Sequence, residues 1–372
     1  MRGTRAIIHL CNLRSNIEIV RSLTGKGIKL CMAVKANAYG HGAAGIARTA
    51  LDAGVDVLAV ATAEEGAELR EAGITAPLVL FSLPLPEEIS DVVRYDIQPF
   101  VADAGLARAF SEEAKRQGKR LPVHLKVDVG MGRIGVKPEG LFTLAQDVSR
   151  LPGLSIGGIC THFPASDGAA DQETLNQIVM FRAAVERLRA SGLSTGLVHA
   201  ANSGAVMAYP EAYFDMVRPG IIMYGYYPSR EQERRFPFKP VMELQTRVVF
   251  LKRVAPGTPI SYGMTYRTES ETVIATIGIG YGDGYPRLLS GKAKVLIKGS
   301  LYPVVGRICM DQCMVDLGKN PDISLYDTVT LFGPDPAGPD AEDLADAIGT
   351  IPYEIFCGIS KRVPRAYLHG TK

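Results

Sequence analysis

Lys35 is the residue from which the chemistry of this sequence is best read. It ends an apolar run, IKLCMAVK (28–35), and ANAYGHG follows it. An ammonium at the end of an apolar strand is partly desolvated, which lowers its pKa and exposes the amine that forms an imine with a carbonyl. The glycines of AYGHG and of RPGI (218–221) leave backbone N–H groups unobstructed, while Tyr39, Ser203 and Tyr353 add hydroxyl donors. Such a set suits a phosphate. A phosphate-bearing aldehyde is the cofactor these groups would take together.

Further polar groups recur where apolar runs end. Lys126, Asp128 and Arg133 mark the end of LPVHLKVDV (121–129), and His162 the end of LSIGGICTHF (154–163). His199, Asn202 and Ser203 close LSTGLVHAA (193–201), and Arg218 lies in DMVRPGI (215–221). Each alone reads as a solvated strand end. Together they form a set of acids, bases and anion binders that no local rule requires.

The elements that position them alternate. Short β-rich runs and Ala/Leu/Glu-rich helical stretches follow one another over the first 220 residues, the pattern of βα units and a parallel sheet. The remaining runs are VDVLAVAT (55–62), APLVLFS (76–82) and DIQPFVAD (96–103), which brings the strands to eight, the number that closes a barrel. A doubly wound open sheet has the same local pattern. The polar residues at strand ends favour the (β/α)8 TIM-type barrel, because catalytic groups gather there. After SREQERRFPFKP (229–240), a charged linker, helices nearly vanish. VMELQTRVVFLKRV, TVIATIGIGY and AKVLIKGSLYPVVG then read as strands of a mainly β C-terminal domain.

Composition narrows the partners. The 372 residues include 47% hydrophobic and 22% charged, enough to bury a large core. Lys+Arg 41 against Asp+Glu 39 leaves +2, so no single-sign field attracts nucleic acid or a membrane surface. No window approaches the roughly 20 apolar residues of a membrane span. MRGTRAIIHLCNLRSN is interrupted by His9 and Asn12 and lacks a signal-peptide core, and the six cysteines are dispersed. A cytoplasmic location is expected. GMGRIG (130–135) satisfies a dinucleotide fingerprint, but Val136, Lys137 and Pro138 follow where a helix should start. Cys309, Cys313 and Cys357 lack a fourth ligand, so no metal site is expected.

Nine ordered segments resemble the alanine racemase family over nearly the whole chain: MAVKANAYGHGA, HLKVDVGMGRIGV, THF, HAANSGA, MVRPGIIMYG, SYGMTY, IGIGYGDGYPR, VGRICMDQCMVD and IPYEIFCGISKRVPR. The resemblance implies a pyridoxal 5′-phosphate enzyme that interconverts L- and D-alanine, with D-alanine destined for peptidoglycan. It implies a barrel over 11–234 and a β domain over 235–372 joined by the strand in 1–10. By motif, Lys35 and Tyr262 are the catalytic pair, one on each face of the substrate. Racemisation needs a proton removed from one face and returned to the other. A phenol acting as base needs positive charge nearby, for which the resemblance offers His162 and Arg218.

The remaining roles also come from the resemblance. Arg218 faces the pyridine nitrogen, and Arg133 sits near the cofactor oxygen and the substrate carboxylate. Tyr39, Ser203, Gly220, Ile221 and Tyr353 bind phosphate, with His162 also beside the cofactor. Met310 and Asp311 reach the substrate from the partner subunit of a homodimer, and Tyr262 crosses likewise. Lys126 matches a lysine often carbamylated. Asp167, Arg307, Tyr281 and Tyr266 match an entry corridor. A decarboxylase on the same plan faces the ring nitrogen with a carboxylate, and a non-catalytic binder of related barrel type lacks the β domain. Leaving Cys309, Cys357 and the MDQ stretch (310–312) aside, no residue reads as a dedicated partner for a serine hydroxyl, and without one a pocket separates alanine from serine only about a hundredfold.

Overall fold

The computed structural model describes residues 3–168 and 172–369. Eight parallel strands close a barrel: Lys29–Ala33, Val57–Val60, Leu78–Leu80, Ile97–Val101, Leu121–Lys126, Leu154–Cys160, Leu197–His199 and Met216–Val217. Closure is made where Lys29 and Leu30 pair with Met216 and Val217. All eight apolar runs are barrel strands. They are nearly continuous in hydrophobicity because a parallel strand is covered on both faces, inside by the barrel's own side chains and outside by helices.

The helices between them carry the expected spacing. In Ala104–Arg116 the buried residues are Ala107, Phe110, Ser111 and Ala114, at intervals of three and four that keep one face toward the sheet. Asp103 caps its start by accepting from Leu106 N–H at 2.9 Å, and Lys115 and Arg116 end it where the dipole favours cations. Phe110 is fully buried. Truncating such a ring to alanine costs about 3–5 kcal/mol.

The strand Met242–Val254 organises the second domain. It pairs antiparallel with Arg5–His9, Thr272–Ile277 and Thr328–Phe332, and a bulge between Val248 and Phe250 bends it between partners. Arg5–His9 also pairs in parallel with Arg365–Leu368, so the two ends of the chain lie in one eight-stranded sheet. Lys294–Ile297 and Ser300–Val305 form a hairpin whose turn, Lys298 and Gly299, has both φ values positive.

Two expectations need correction. Helices do not nearly vanish after 240: Ala341–Ile348 and Pro352–Gly358 follow the strands, and the second carries Tyr353. Asp340 caps the first, accepting from Glu342 and Asp343 N–H at 2.8 and 2.9 Å, and Gly349 ends it at φ 75°. The stretch 229–240 is also not a loose tether. Arg234 donates to both carboxylate oxygens of Glu342 at 2.6 Å, tying the stretch to the Ala341–Ile348 helix. Tyr226 and Phe356 meet at 5.0 Å in a core that joins barrel and β domain. The helix Pro352–Gly358 therefore packs against the segment that follows the first barrel strand.

Candidate active site

Lys35 leaves the first barrel strand in an unusual way. Ala36, Asn37, Ala38 and Tyr39 have φ of 51°, 55°, 52° and 50°, four successive non-glycine residues in the left-handed region. Each costs about 1–2 kcal/mol, so the turn must be held from outside. His41 Nδ1 meets the carbonyls of Ala38 and Tyr39 at 3.0 and 2.8 Å. Arg365, from the β domain, donates to Gly40 O at 2.9 Å and also to the Ser360, Val363 and Ile359 carbonyls. Burial, with the Arg133 charge next, lowers the pKa of Lys35, while Glu65 opposes them. A free amine is thereby favoured.

A cavity of about 400 Å³ opens at the C-terminal ends of the barrel strands and is lined by Lys35, Tyr39, His162, Asp167, Ser203, Arg218, Gly220 and Tyr353. Ser203 Oγ accepts from Gly220 N–H at 2.9 Å, and the Tyr39 ring stacks on Tyr224 with centroids 4.8 Å apart. Tyr353 lies 5.5 Å from Tyr39, ring to ring. Ile221 opens the turn Ile221–Tyr224 directly after Gly220, with its side chain buried. Asn202 caps Ser203–Ala208, its Oδ1 accepting from Ala205 N–H at 3.1 Å, so it serves the backbone.

Arg218 is buried in the barrel and donates to Thr161 O at 2.7 Å and Ala200 O at 3.0 Å. It also meets Nδ1 of His162 at 3.2 Å and Nδ1 of His199 at 3.0 Å. Burial first, and then the Arg218 charge, push both histidines well below the usual imidazole range. His162 is therefore neutral. A second cation beside Arg218 in a dry site is unfavourable, so of the two groups expected to lend positive charge to a phenol Arg218 is the one that carries it here.

An adjoining cavity of about 470 Å³ shares Lys35, His162 and Arg218 and adds Lys126 and Arg133. Lys126 donates to Val127 O at 2.9 Å, and burial pushes its pKa down to about 8. Asp128 accepts from the amides of Gly130 and Gly132 at 3.0 and 2.9 Å, which fixes the GMGRIG segment as a loop. No helix begins there.

Other expected residues stand apart from Lys35 within the chain. Tyr262, Met310 and Asp311 line a separate cavity of about 990 Å³ in the β domain, and Tyr262 is 72% exposed. Arg362 donates to Asp311 Oδ1 at 2.6 Å, and Gly282 N–H to Met310 O at 2.9 Å. Tyr266 donates to Asp316 at 2.8 Å, Arg307 packs on Gly263, and Tyr281 is half-exposed. Of the corridor residues, Asp167 alone lines the cavity of Lys35. Among the described residues, no group of three His, Cys, Asp or Glu is placed to hold a metal ion. Sequence reasoning missed Glu65, which holds the Lys35 turn, although the T-A-E-E spacing at 62–65 is a helix-start signal.

A barrel whose strand ends present a desolvated lysine, a cradle of hydroxyl groups and a buried arginine, joined to a β domain, has the plan of a two-domain barrel enzyme. Comparison with known proteins sharpens this. The model of the alanine racemase N-terminal domain matches residues 8–228 and that of its C-terminal domain residues 241–367. Alanine racemase from Treponema denticola is 47% identical, with all of both chains covered, and that from Desulforamulus reducens 45%, with 98% of each. The solved alanine racemase of Clostridium difficile 630 superposes with a TM-score of 0.95 at 40% identity, covering 98% of this chain and 96% of that one. The chain belongs to the alanine racemase family and is an amino-acid racemase.

Proposed function

We propose that the chain interconverts L- and D-alanine with pyridoxal 5′-phosphate, using two bases and a site shared between the subunits of a homodimer. The observation that carries this reading is the single cavity lined by Lys35, Tyr39, Ser203, Arg218, Gly220 and Tyr353. Its residues fit the cofactor. A Cβ on Gly220 would come within 2.6 Å of the Tyr39 hydroxyl, so glycine leaves room for that hydroxyl near the Ser203 hydroxyl, which accepts from Gly220 N–H. Hydroxyl and amide donors suit a phosphate, and the favoured free amine of Lys35 suits an aldehyde. When bound, the cofactor supplies the electron sink for a negative charge at the substrate Cα.

The protein's own groups do the rest. Lys35 and Tyr262, the latter from the partner subunit, remove and return the proton at Cα on opposite faces. Arg218 keeps its protons, so it hydrogen-bonds a ring nitrogen without protonating it, which favours racemisation over transamination. Arg133 binds the substrate carboxylate, with Met310 through its backbone and Asp311 from the other subunit. Tyr39, Ser203, Tyr353 and the amides of Gly220 and Ile221 hold the phosphate, and His162 packs beside the ring. A carbamylated Lys126 orients Arg133. Asp167, Tyr266, Tyr281 and Arg307 form the entry corridor.

The remaining assignments follow the same reading. Residues 11–234 make the cofactor barrel, and 1–10 with 235–372 the domain that serves the partner's site. Tyr262, Met264 and Met310 stand exposed together around the β-domain cavity, as apolar residues awaiting a subunit do. No described helix is long and apolar enough to cross a membrane. We place the enzyme in the cytoplasm, supplying D-alanine for peptidoglycan. Chiral analysis of product from L-alanine and L-serine, with Lys35→Ala and Tyr262→Phe as controls, tests the reading. D-alanine is expected, and its absence from cofactor-loaded protein would overturn it.

A further inference from the structure

The left-handed turn at Ala36–Tyr39 places Lys35, yet its own bonds do not account for its first amide. Ala38 N–H reaches Val34 O and Gly40 N–H reaches Ala36 O. The Ala36 N–H donates instead to Oε1 of Glu65 at 2.6 Å. The other oxygen, Oε2, accepts from Ala61 N–H at 2.7 Å, just past the second barrel strand Val57–Val60. One carboxylate therefore bridges the exits of the first two barrel strands.

Glu65 stands in the first turn of the helix Ala63–Glu71, whose cap Thr62 accepts from Glu65 N–H at 3.3 Å. A carboxylate at this helix position ordinarily turns back to the cap residue's own amide. This one reaches one residue further back and also crosses to the neighbouring strand, which capping alone does not require. Both bonds are charge-assisted and near the positive end of a helix, where an anion is favoured.

We propose that Glu65 is a positioning residue for Lys35: its two oxygens clamp the left-handed turn and so fix where the lysine amine enters the site. The consequence for catalysis rests on the function proposed above, whereas the clamp itself is a property of the backbone. Glutamine at 65 keeps the volume but turns an NH2 toward one of the two backbone amides, losing that bond. Alanine loses both. Thr62→Ala weakens the same helix start while leaving both carboxylate bonds in place.

The test compares Glu65→Ala, Glu65→Gln and Thr62→Ala with the parent, all full-length and loaded with cofactor. Amide hydrogen exchange is followed in peptides spanning residues 34–42 and 62–66, alongside kcat and KM for L-alanine. In both Glu65 variants exchange over 34–42 is expected to quicken about tenfold or more, with kcat down at least about tenfold and KM changed less than about threefold. In Thr62→Ala only 62–66 should quicken, with kcat within about twofold. Unchanged exchange over 34–42 in the Glu65 variants, or the same change in Thr62→Ala, overturns the proposal and leaves Glu65 a helix cap. Glu65→Gln decides if Glu65→Ala yields no folded protein. A parent chain without racemase activity would sink the proposed function, while the exchange comparison would still decide the clamp.

Discussion

Arg218 donates to Nδ1 of His199 at 3.0 Å, and this one bond sets the direction of the protons behind it. A guanidinium only donates, so His199 accepts there and carries its proton on Nε2. That proton points to Nδ1 of His124 at 2.8 Å, and His124 in turn donates from Nε2 to Gln98 Oε1 at 2.9 Å. The row ends in a neutral amide. Both imidazoles stay uncharged because burial and then the Arg218 charge disfavour protonation. Arg218 thus presents a fixed positive charge to the cavity backed by groups that cannot take its proton.

Replacing that charge should change the reaction's outcome. Arg218→Glu places a protonatable carboxyl where the guanidinium stood, and a ring nitrogen that can be protonated is a stronger electron sink. The ratio of pyruvate to D-alanine formed from L-alanine is expected to rise by more than about tenfold, about 1.4 kcal/mol in relative barriers. Both products come from one sample, so the ratio does not depend on how much of the variant folds. An unchanged ratio contradicts the role given to Arg218.

Acid should unfold the chain through its buried histidines. Burial pushes His41 down to about 4 and His124 down to about 3, both from 6.5. Between pH 6.5 and 4 the unfolded chain therefore binds more protons than the folded one, and stability falls as pH falls. The urea midpoint at pH 4.5 is expected to lie clearly below that at pH 7. Equal midpoints would show that these imidazoles protonate freely in the folded state.

Much of this was legible in the residues, for physical reasons. Parallel barrel strands are buried on both faces, so all eight stood out as apolar runs, although Met216–Val217 is shorter than DMVRPGI because Arg218 and Gly220 already turn into the cavity. The late helices had signals that went unused: Asp340 before the first and Gly349 after it. The left-handed turn had little signal. Of Ala, Asn, Ala and Tyr only Asn37 commonly takes positive φ, and Glu65 becomes important only through a contact with the turn at Ala36, 29 residues away in sequence. Lys35, Tyr39, Ser203, Arg218, Gly220 and Tyr353 line one cavity, while Tyr262 and Asp311 lie elsewhere on the chain. On the proposed reading, a second subunit is what brings them to a lysine.

Lys126 offers a chemical test of its own. Burial pushes its pKa down to about 8, which raises the share of free amine near neutral pH above that of a solvated lysine. A free amine nitrogen attacks the carbon of CO2 and loses its proton, leaving a carbamate whose negative charge suits the neighbouring Arg133. Cofactor-loaded protein in 13C-labelled bicarbonate at pH 8 is expected to show a carbamate carbon resonance that Lys126→Met lacks. Identical spectra would remove carbamylation from the account.

Complementation between two inactive variants tests the central claim most directly. Lys35→Ala lacks one base and Tyr262→Ala the other, so each homodimer should be inactive. In a mixed dimer one site combines both defects, and the other joins an intact Lys35 with an intact Tyr262 from the opposite chain. Coexpression of the two variants is expected to restore racemisation to about a quarter of the parent activity, from one working site in the half of dimers that are mixed. Mixed dimers that form and bind cofactor yet convert no L-alanine would contradict a site in which the two bases come from different subunits.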